Sequence, residues 1–355
     1  MTETEPVTAG QASTAEPGRW LAIHIFYGGS ARPMLTDCIR PLVEELRGRN
    51  LLDRYFFINY WLEGPHVRLR LKPRTVADEP AVRAVADAAI QRFLTERPAL
   101  YEMNAGYRAE LYNLLFDLEF PQGKPAELVG PDGNVQMQPN NSFSYRPYEP
   151  EYGKYGGPAG VALAEWHFEY SSDVLIDAVR TMNLHLRPVT LGTAAQLMLV
   201  MAGTFLPDRT DLVEFLDTYF QFWHQAFAGT NFVEGIEYST MYERIAPDLD
   251  RRFQPILGAL DRGEQHRLPV FLRGWAEHAG QLRERTCRLA ESGQLAFAYP
   301  EGTPTVRVTD PQAALVRLLS PYLHMTNNRL YITLRDEAYL AYLLGRALRE
   351  SLAAK

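Results

Sequence analysis

The apolar positions early in the chain follow two different periods. From Arg19 to Tyr27 (RWLAIHIFY), apolar, aromatic and β-branched residues run together and stop at Gly28-Gly29, which predicts a buried strand followed by a turn. Over residues 34–48 the spacing lengthens, and Leu35, Ile39, Leu42, Val43 and Leu46 fall on one face of a helix. Two further strands are predicted at Tyr55–Trp61 and His66–Lys72, joined as a hairpin through Leu62-Glu63-Gly64-Pro65. Side chains alternate across a strand. Val67, Leu69 and Leu71 therefore share one face of the second strand, and His66, Arg68 and Arg70 share the other.

Residues 78–96 read as a surface helix. Residues 121–147 are rich in Pro, Gly and Asn and predict a mostly irregular connection. A loop of that length in a compact protein is more often used than idle. From Gly160 onward helices dominate, roughly over 160–183, 190–205, 210–227, 240–261 and 267–291. Asp310-Pro311 suits an N-cap and first turn and opens a helix to Ser320. Arg329–Leu334 (RLYITL) alternates as a strand would. Asp336 then caps a last helix, with Tyr339, Leu340, Leu343, Leu344 and Leu348 as candidate core residues. Residues 1–18 have little to bury and are expected to form a disordered tail. Strands early and late around a helical middle predict an α+β fold, a mostly antiparallel sheet with a large helical portion, in one domain over residues 19–355.

Composition narrows the function classes. The 355 residues are 46% hydrophobic and 22% charged, an ordinary globular balance with enough chain for a sizeable core. A net charge of −7 gives no support to direct nucleic-acid binding, which usually shows a basic domain, although a local basic pocket is compatible with it. Cys38 and Cys287 are far apart and suggest neither a disulfide framework nor a zinc site, which fits a reducing cytoplasm. The N-terminus lacks the basic and then apolar pattern of a secretory signal. The longest apolar run, Leu191 to Leu206, is interrupted by Gly192, Thr193, Gln196, Gly203 and Thr204, so a buried core helix is predicted and no membrane span.

Three stretches could carry chemistry. On His66-Val67-Arg68-Leu69-Arg70, periodicity alone favours a solvated sheet face. The sharper reading is an anion site, because guanidinium forks match carboxylates bidentately. In Tyr148–Pro158 (YEPEYGKYGGP), Gly153, Gly156 and Gly157 imply a tight backbone path, with Glu149, Glu151 and Lys154 beside it. That stretch also reads as a turn leading into the next helix, and it lacks the spacing of a nucleotide loop. His324 stands between a predicted helix and a predicted strand, and His is a natural general acid or base, though a lone His is more often a packing residue. The remaining histidines show no metal spacing, and neither a GxSxG elbow nor a cysteine nucleophile motif occurs.

Together these stretches resemble the C-terminal, glutamate-eliminating domain of lantibiotic dehydratases, which also occurs among proteins of thiopeptide biosynthesis. The resemblance covers nearly the whole chain after residue 18. Its anchors are Trp20, then Phe56-Phe57-Ile58 leading to Gly64-Pro65-His66-Val67-Arg68-Leu69-Arg70. Tyr148-x-Pro150-Glu151-x-x-Lys154-Tyr155-Gly156-Gly157, Glu165 and His324-Met325-x-x-Asn328-Arg329-Leu330 follow in the same order. The family implies a partner that esterifies Ser or Thr of a precursor peptide with glutamate from glutamyl-tRNA. The domain of interest then removes glutamate and leaves dehydroalanine or dehydrobutyrine. At 355 residues the chain is expected to lack the glutamylating part and to rely on a separate protein for it.

The resemblance makes Arg70, Arg68, His324 and Lys154 the candidate catalytic residues, Arg70 foremost. It makes His66, Glu151, Asn328 and Arg329 the candidate substrate-binding ones. The implied partners are a leader-bearing precursor peptide and the glutamylating protein, with homodimerisation left open. Neither a cofactor nor a metal is implied. The same fold serves thiopeptide pyridine synthases, which join two dehydroalanines and release the leader peptide. The family often has Arg where this chain has Asn59 and where it has Lys154, and Lys keeps the charge but loses the fork. Those departures weaken elimination and strengthen pyridine synthesis. They also admit a non-catalytic role in binding the precursor peptide.

Overall fold

The strand that alternates His, Arg and Arg lies inside a four-stranded antiparallel sheet. A computed structural model describes residues 16–100, 112–117, 120, 123–226, 235–299 and 302–353. Strands β1 (Leu21–Phe26), β2 (Leu52–Tyr60), β3 (His66–Pro73) and β4 (Ser142–Arg146) are ordered β2-β3-β1-β4. The β2–β3 hairpin is the predicted one, with β2 beginning three residues earlier and ending one earlier, and β3 ending one residue later. β4 falls within the stretch expected to be mostly irregular. Its Ser-Phe-Ser-Tyr-Arg sequence is too short and too polar to announce a strand, and β1 is what orders it.

One face of the sheet is a hydrophobic core. Ile23, Ile25, Phe57, Leu69 and Leu71 are fully buried there. They pack beneath α1 (Ala31–Met34), a π-helical turn (Leu35–Ile39), α2 (Arg40–Gly48) and α3 (Glu79–Glu96). The predicted helix over 34–48 is thus a helix with one wide turn in its first half. The helix read over 78–96 lies at the surface but buries Val82, Ala86, Ile90 and Phe93 against the sheet.

The helical half begins at α4 (Tyr152–Tyr155) and α5 (Gly157–Thr181). The three glycines do what their spacing implied. Gly156 has φ +83°, a left-handed conformation that breaks α4 from α5, and a Cβ on Gly153 would lie 2.5 Å from the Ala298 carbonyl oxygen. α5 runs along the outer edge of β2, where the Ser172 hydroxyl accepts from the Phe57 N–H and Asp173 accepts from the Tyr55 hydroxyl. Then come α6 (Arg187–Phe205), α7 (Arg209–Ala226), α8 (Gly235–Asp261) and α9 (Val270–Glu291). α6 is long and apolar enough to cross a membrane by length and composition, yet most of it is buried by its neighbours, as a core helix would be. The Trp275 indole of α9 donates to the Leu197 carbonyl and pins these two helices together.

The chain ends with a short hairpin, β5 (Leu295–Phe297) and β6 (Val306–Val308), followed by α10 (Pro311–Arg329) and α11 (Leu334–Ala353). Three expectations are corrected here. The helix that opens at Asp310-Pro311 does not stop at Ser320 but continues through Pro321 to Arg329. His324 therefore lies within a helix. The strand expected at Arg329–Leu334 is the end of α10 and a tight turn. Tyr331 has φ +61° there, and Leu330 and Ile332 are buried for packing reasons rather than strand pairing. Asp336 does not precede the last helix either. It sits in the first turn of α11, and Thr333 is the capping residue, its hydroxyl bonded to both the N–H and the carboxylate of Asp336.

The N-terminal tail expected over residues 1–18 lies outside the described residues up to residue 15. Beyond that point, the Gly18 N–H donates to the Arg74 carbonyl and the Val76 N–H to the Glu16 carbonyl, which ties residues 16–18 to the end of β3.

Candidate active site on the basic face of the sheet

The register fixes what the second face of the sheet displays. Phe56, Arg70, Ala22 and Arg146 form one row across the strands. Ile58, Arg68, His24 and Ser144 form the next, and Tyr60, His66, Phe26 and Ser142 the third. This is no solvated face. Arg70 is 6% exposed, His66 4% and His24 7%. Arg146 in the same row has Glu63 at 3.5 Å, and Lys72 one row below has Asp53 at 3.3 Å. Arg70 has no carboxylate at ion-pair distance among the described residues, and its Nε and Nη1 are buried without an acceptor. Burial, and then the neighbouring Arg68, push its pKa down to about 10. A guanidinium kept charged under those penalties is short of an anion.

Two histidines hold the two arginines. Arg68 donates from Nε to His66 Nε2 at 3.3 Å, and its guanidinium lies 3.4 Å from the centre of the Tyr60 ring. The other nitrogen of His66 is 2.8 Å from the Gly64 carbonyl oxygen, inside the hairpin turn. Arg70 Nη2 is 3.4 Å from His24 Nε2, and the His24 and His66 rings stack 5.0 Å apart. Burial pushes the His66 pKa down to about 3, aided by Arg68 and Arg70. Burial together with the same arginines takes His24 to about 2. Both imidazoles are neutral at physiological pH. On the far side of Arg70, the Tyr148 ring lies 5.8 Å from the guanidinium, and the Tyr148 hydroxyl donates to Glu165 at 2.7 Å. Burial raises both the Tyr148 and the Glu165 pKa.

His324 belongs to a second cluster, built by three helices. Its Nδ1 is 3.0 Å from Glu337 Oε2 on α11, and the other oxygen of Glu337 accepts from the Tyr219 hydroxyl on α7. Trp223 stacks on the imidazole at 4.8 Å. Glu337 is fully buried, while a quarter of the His324 side chain is exposed. A carboxylate on Nδ1 fixes the ring so that Nε2 is the nitrogen left to exchange a proton.

The two clusters are indexed to each other through the end of α10. The Asn59 N–H donates to Asn328 Oδ1 at 2.9 Å, Asn328 Nδ2 donates to the Asn59 carbonyl at 2.7 Å, and Asn59 Nδ2 donates to the Asn328 carbonyl at 2.8 Å. Arg329 is wholly buried and donates from Nε to the Phe57 carbonyl and from Nη1 to the Met325 carbonyl. Asn328 and Arg329 are thus occupied in latching α10 to β2. His324 lies one helical turn from the latch, and β2 is the strand that neighbours Arg68.

Of the residues singled out from sequence, His66, Arg68 and Arg70 meet on one face. Lys154 does not join them: its ammonium pairs with Glu151 at 3.1 Å on α4, beside the β5–β6 hairpin. His24 escaped notice because it is embedded in an apolar run, where only the strand alternation Ala22, His24, Phe26 marks its face. Glu337 was hidden because nothing in a linear pattern pairs it with a histidine on a different helix.

Residues 20–348 match the family described as lantibiotic biosynthesis dehydratase C-term. Among solved structures, the chain is similar to the pyridine synthase TbtD from thiomuracin biosynthesis (19% identity, TM-score 0.73, 95% of this chain and 100% of that one). It is also similar to TsrL (19% identity, TM-score 0.68, 95% of this chain and 96% of that one). The tRNA-dependent lantibiotic dehydratase MibB from Microbispora sp. 107891 matches at 17% identity and TM-score 0.53 over 98% of this chain, which spans 29% of MibB. A search of the curated proteins found no match. The α+β fold, the order of the anchor motifs and the match over nearly all of the chain agree, and the protein belongs to the lantibiotic biosynthesis dehydratase C-terminal family.

Proposed function

We propose that this protein is a carbon–oxygen lyase of ribosomal peptide biosynthesis that eliminates glutamate from glutamylated Ser or Thr of a leader-bearing precursor peptide. The observation that carries the reading is Arg70, a buried cation whose Nε and Nη1 meet no acceptor among the described residues, next to Arg68 on a rigid sheet. Elimination needs what that face offers. A base takes the α-proton of the modified residue, the electron pair forms the Cα=Cβ bond, and the Cβ–O bond breaks to release glutamate as a carboxylate. Arg70 and Arg68 hold the departing carboxylate and stabilise the charge that develops on it. His324, oriented by Glu337, moves the proton through Nε2. The chemistry balances without a cofactor. The partners are the precursor peptide and a separate glutamyl-tRNA-dependent protein, and the setting is the cytoplasm.

A second reading, pyridine synthesis with release of the leader, is favoured by Asn59 and Lys154. The family pattern often has Arg at both positions. Here Asn59, which pairs with Val67 on the other side of the sheet, is spent on the α10 latch and Lys154 on Glu151, so neither position supplies a guanidinium fork. Mass spectrometry separates the readings. A precursor peptide glutamylated on Ser or Thr loses one glutamic acid per site when the protein is added, if elimination is its activity. A glutamylated peptide left intact overturns that activity. A peptide already bearing dehydroalanines then reports pyridine synthesis by shedding its leader.

A further inference from the structure

The hydrogen-bonding roles on the basic face are fixed by elementary chemistry. A guanidinium only donates. The nitrogens facing Arg70 and Arg68, His24 Nε2 and His66 Nε2, must therefore both be acceptors and carry no proton. A neutral imidazole then has its proton on Nδ1. For His66 that proton goes to the Gly64 carbonyl. For His24 it goes nowhere: Nδ1 is buried and has no partner among the described residues. His24 Nδ1 joins Arg70 Nε and Nη1 as buried N–H donors without acceptors, on neighbouring rows of one sheet face. An orphaned buried donor is costly. The two on Arg70 call for an oxygen-rich acceptor that arrives with a ligand.

We propose that His24 is a positioning residue of the anion site, whose unprotonated Nε2 steers Arg70 so that the guanidinium's Nε and Nη1 are left for an incoming carboxylate. The pairing divides the work between the two histidines. His66, satisfied by the turn carbonyl, only orients Arg68. His24 orients Arg70, and Arg70 presents the donors to the carboxylate. The inference rests on the elimination reading for the identity of that carboxylate, the departing glutamate, and on the geometry alone for the tautomer.

The test uses the full chain labelled with ¹⁵N-histidine and assigned with His24→Asn. At pH 7 the free protein is expected to show the His24 ring neutral with its proton on Nδ1. A proton on Nε2, or a charged ring, overturns the inference whatever the protein catalyses. L-glutamate is then titrated in. The His24 Nε2 signal is expected to move with saturation, and His24→Leu is expected to weaken glutamate binding and raise KM for the glutamylated peptide on the order of tenfold, with kcat less affected. His24→Asn offers one acceptor and one donor and is expected to restore most of that loss, which a merely structural role would not predict. If wild type binds glutamate and eliminates, but His24→Leu binds as tightly, His24 has no such role and elimination stands. If wild type ignores glutamate and leaves the peptide intact, elimination falls, and the tautomer still judges the His24–Arg70 pairing.

Discussion

Arg70 holds its charge where burial and a neighbouring cation both oppose it. With no carboxylate paired to it among the described residues, its replacement by an apolar side chain of similar size is expected to be neutral or stabilising. Arg70→Met is therefore expected to keep or raise the melting temperature while cutting turnover by roughly 10²–10³ and leaving glutamylated peptide to accumulate. A melting temperature that falls by many degrees together with normal dehydration would make Arg70 structural. His324→Ala is expected to lose roughly 10²–10⁴ in turnover and to keep peptide affinity, read by single-turnover kinetics beside equilibrium binding. Unchanged turnover removes His324 from the reaction. Much of this was legible in the sequence at the level of the residue. Alternation alone put His66, Arg68 and Arg70 on one face. It could not say that Arg70 is buried, because burial of that face depends on Tyr148, Phe56 and Trp20, which come from distant segments. The environment of His324 was illegible for the same reason: Glu337, Tyr219 and Trp223 reach it from two other helices.

Among the elements, β3 was read correctly and the end of α10 was not. A strand of clean alternation, with a turn before it, has few competing readings. RLYITL has the same alternation, yet a helix end followed by a tight turn buries Leu330 and Ile332 just as well, and six residues are too few to separate the two. The missed helix end matters, because it is where α10 grips β2. Asn328→Ala would leave the N–H and carbonyl of Asn59 without their side-chain partner, at a cost of about 1–3 kcal/mol. The expected outcome is a lower melting temperature and a turnover defect larger than any loss of peptide binding, since His324 rides on the same helix. A stable variant with full turnover would show that the latch does not set the position of His324. Gly156→Ala is expected to destabilise by about 1–2 kcal/mol, because its φ of +83° is unfavourable for a residue with a Cβ. Urea denaturation checks it.

For the molecule as a whole, the buried histidines set an acid limit. His24 is held down to about 2, and His66 and His278 to about 3, while His167, bonded to His278 at 3.0 Å, is pushed well below its ordinary value, all first by burial. Each folded pKa lies below the unfolded value of about 6.5, so the unfolded chain takes up protons first. The stability these groups contribute is fully present above about pH 6.5 and is lost as pH falls toward 3, by up to about 1.4 kcal/mol per pH unit for each group. Thermal unfolding followed from pH 7 to pH 4 is expected to show a steadily falling midpoint. A flat profile would mean that these histidines are charged in the folded state. We also propose that residues 19–355 form one unit. α5 contributes Ile176 to the core beneath the sheet and Phe168 to the helical core, so neither core is complete without it.

The grip on β2 has a consequence for how the sheet can grow. Ser172, Asn328 and Arg329 take up the outward N–H of Phe57 and Asn59 and both of their carbonyls, which leaves β2 no room to recruit another strand. Among the described residues, the margin left for a peptide that extends this sheet is that of β4. From there it lies beside Ser144, one strand away from His24 and two from Arg68 and Arg70, so its own alternation decides which of its side chains are delivered to the cations.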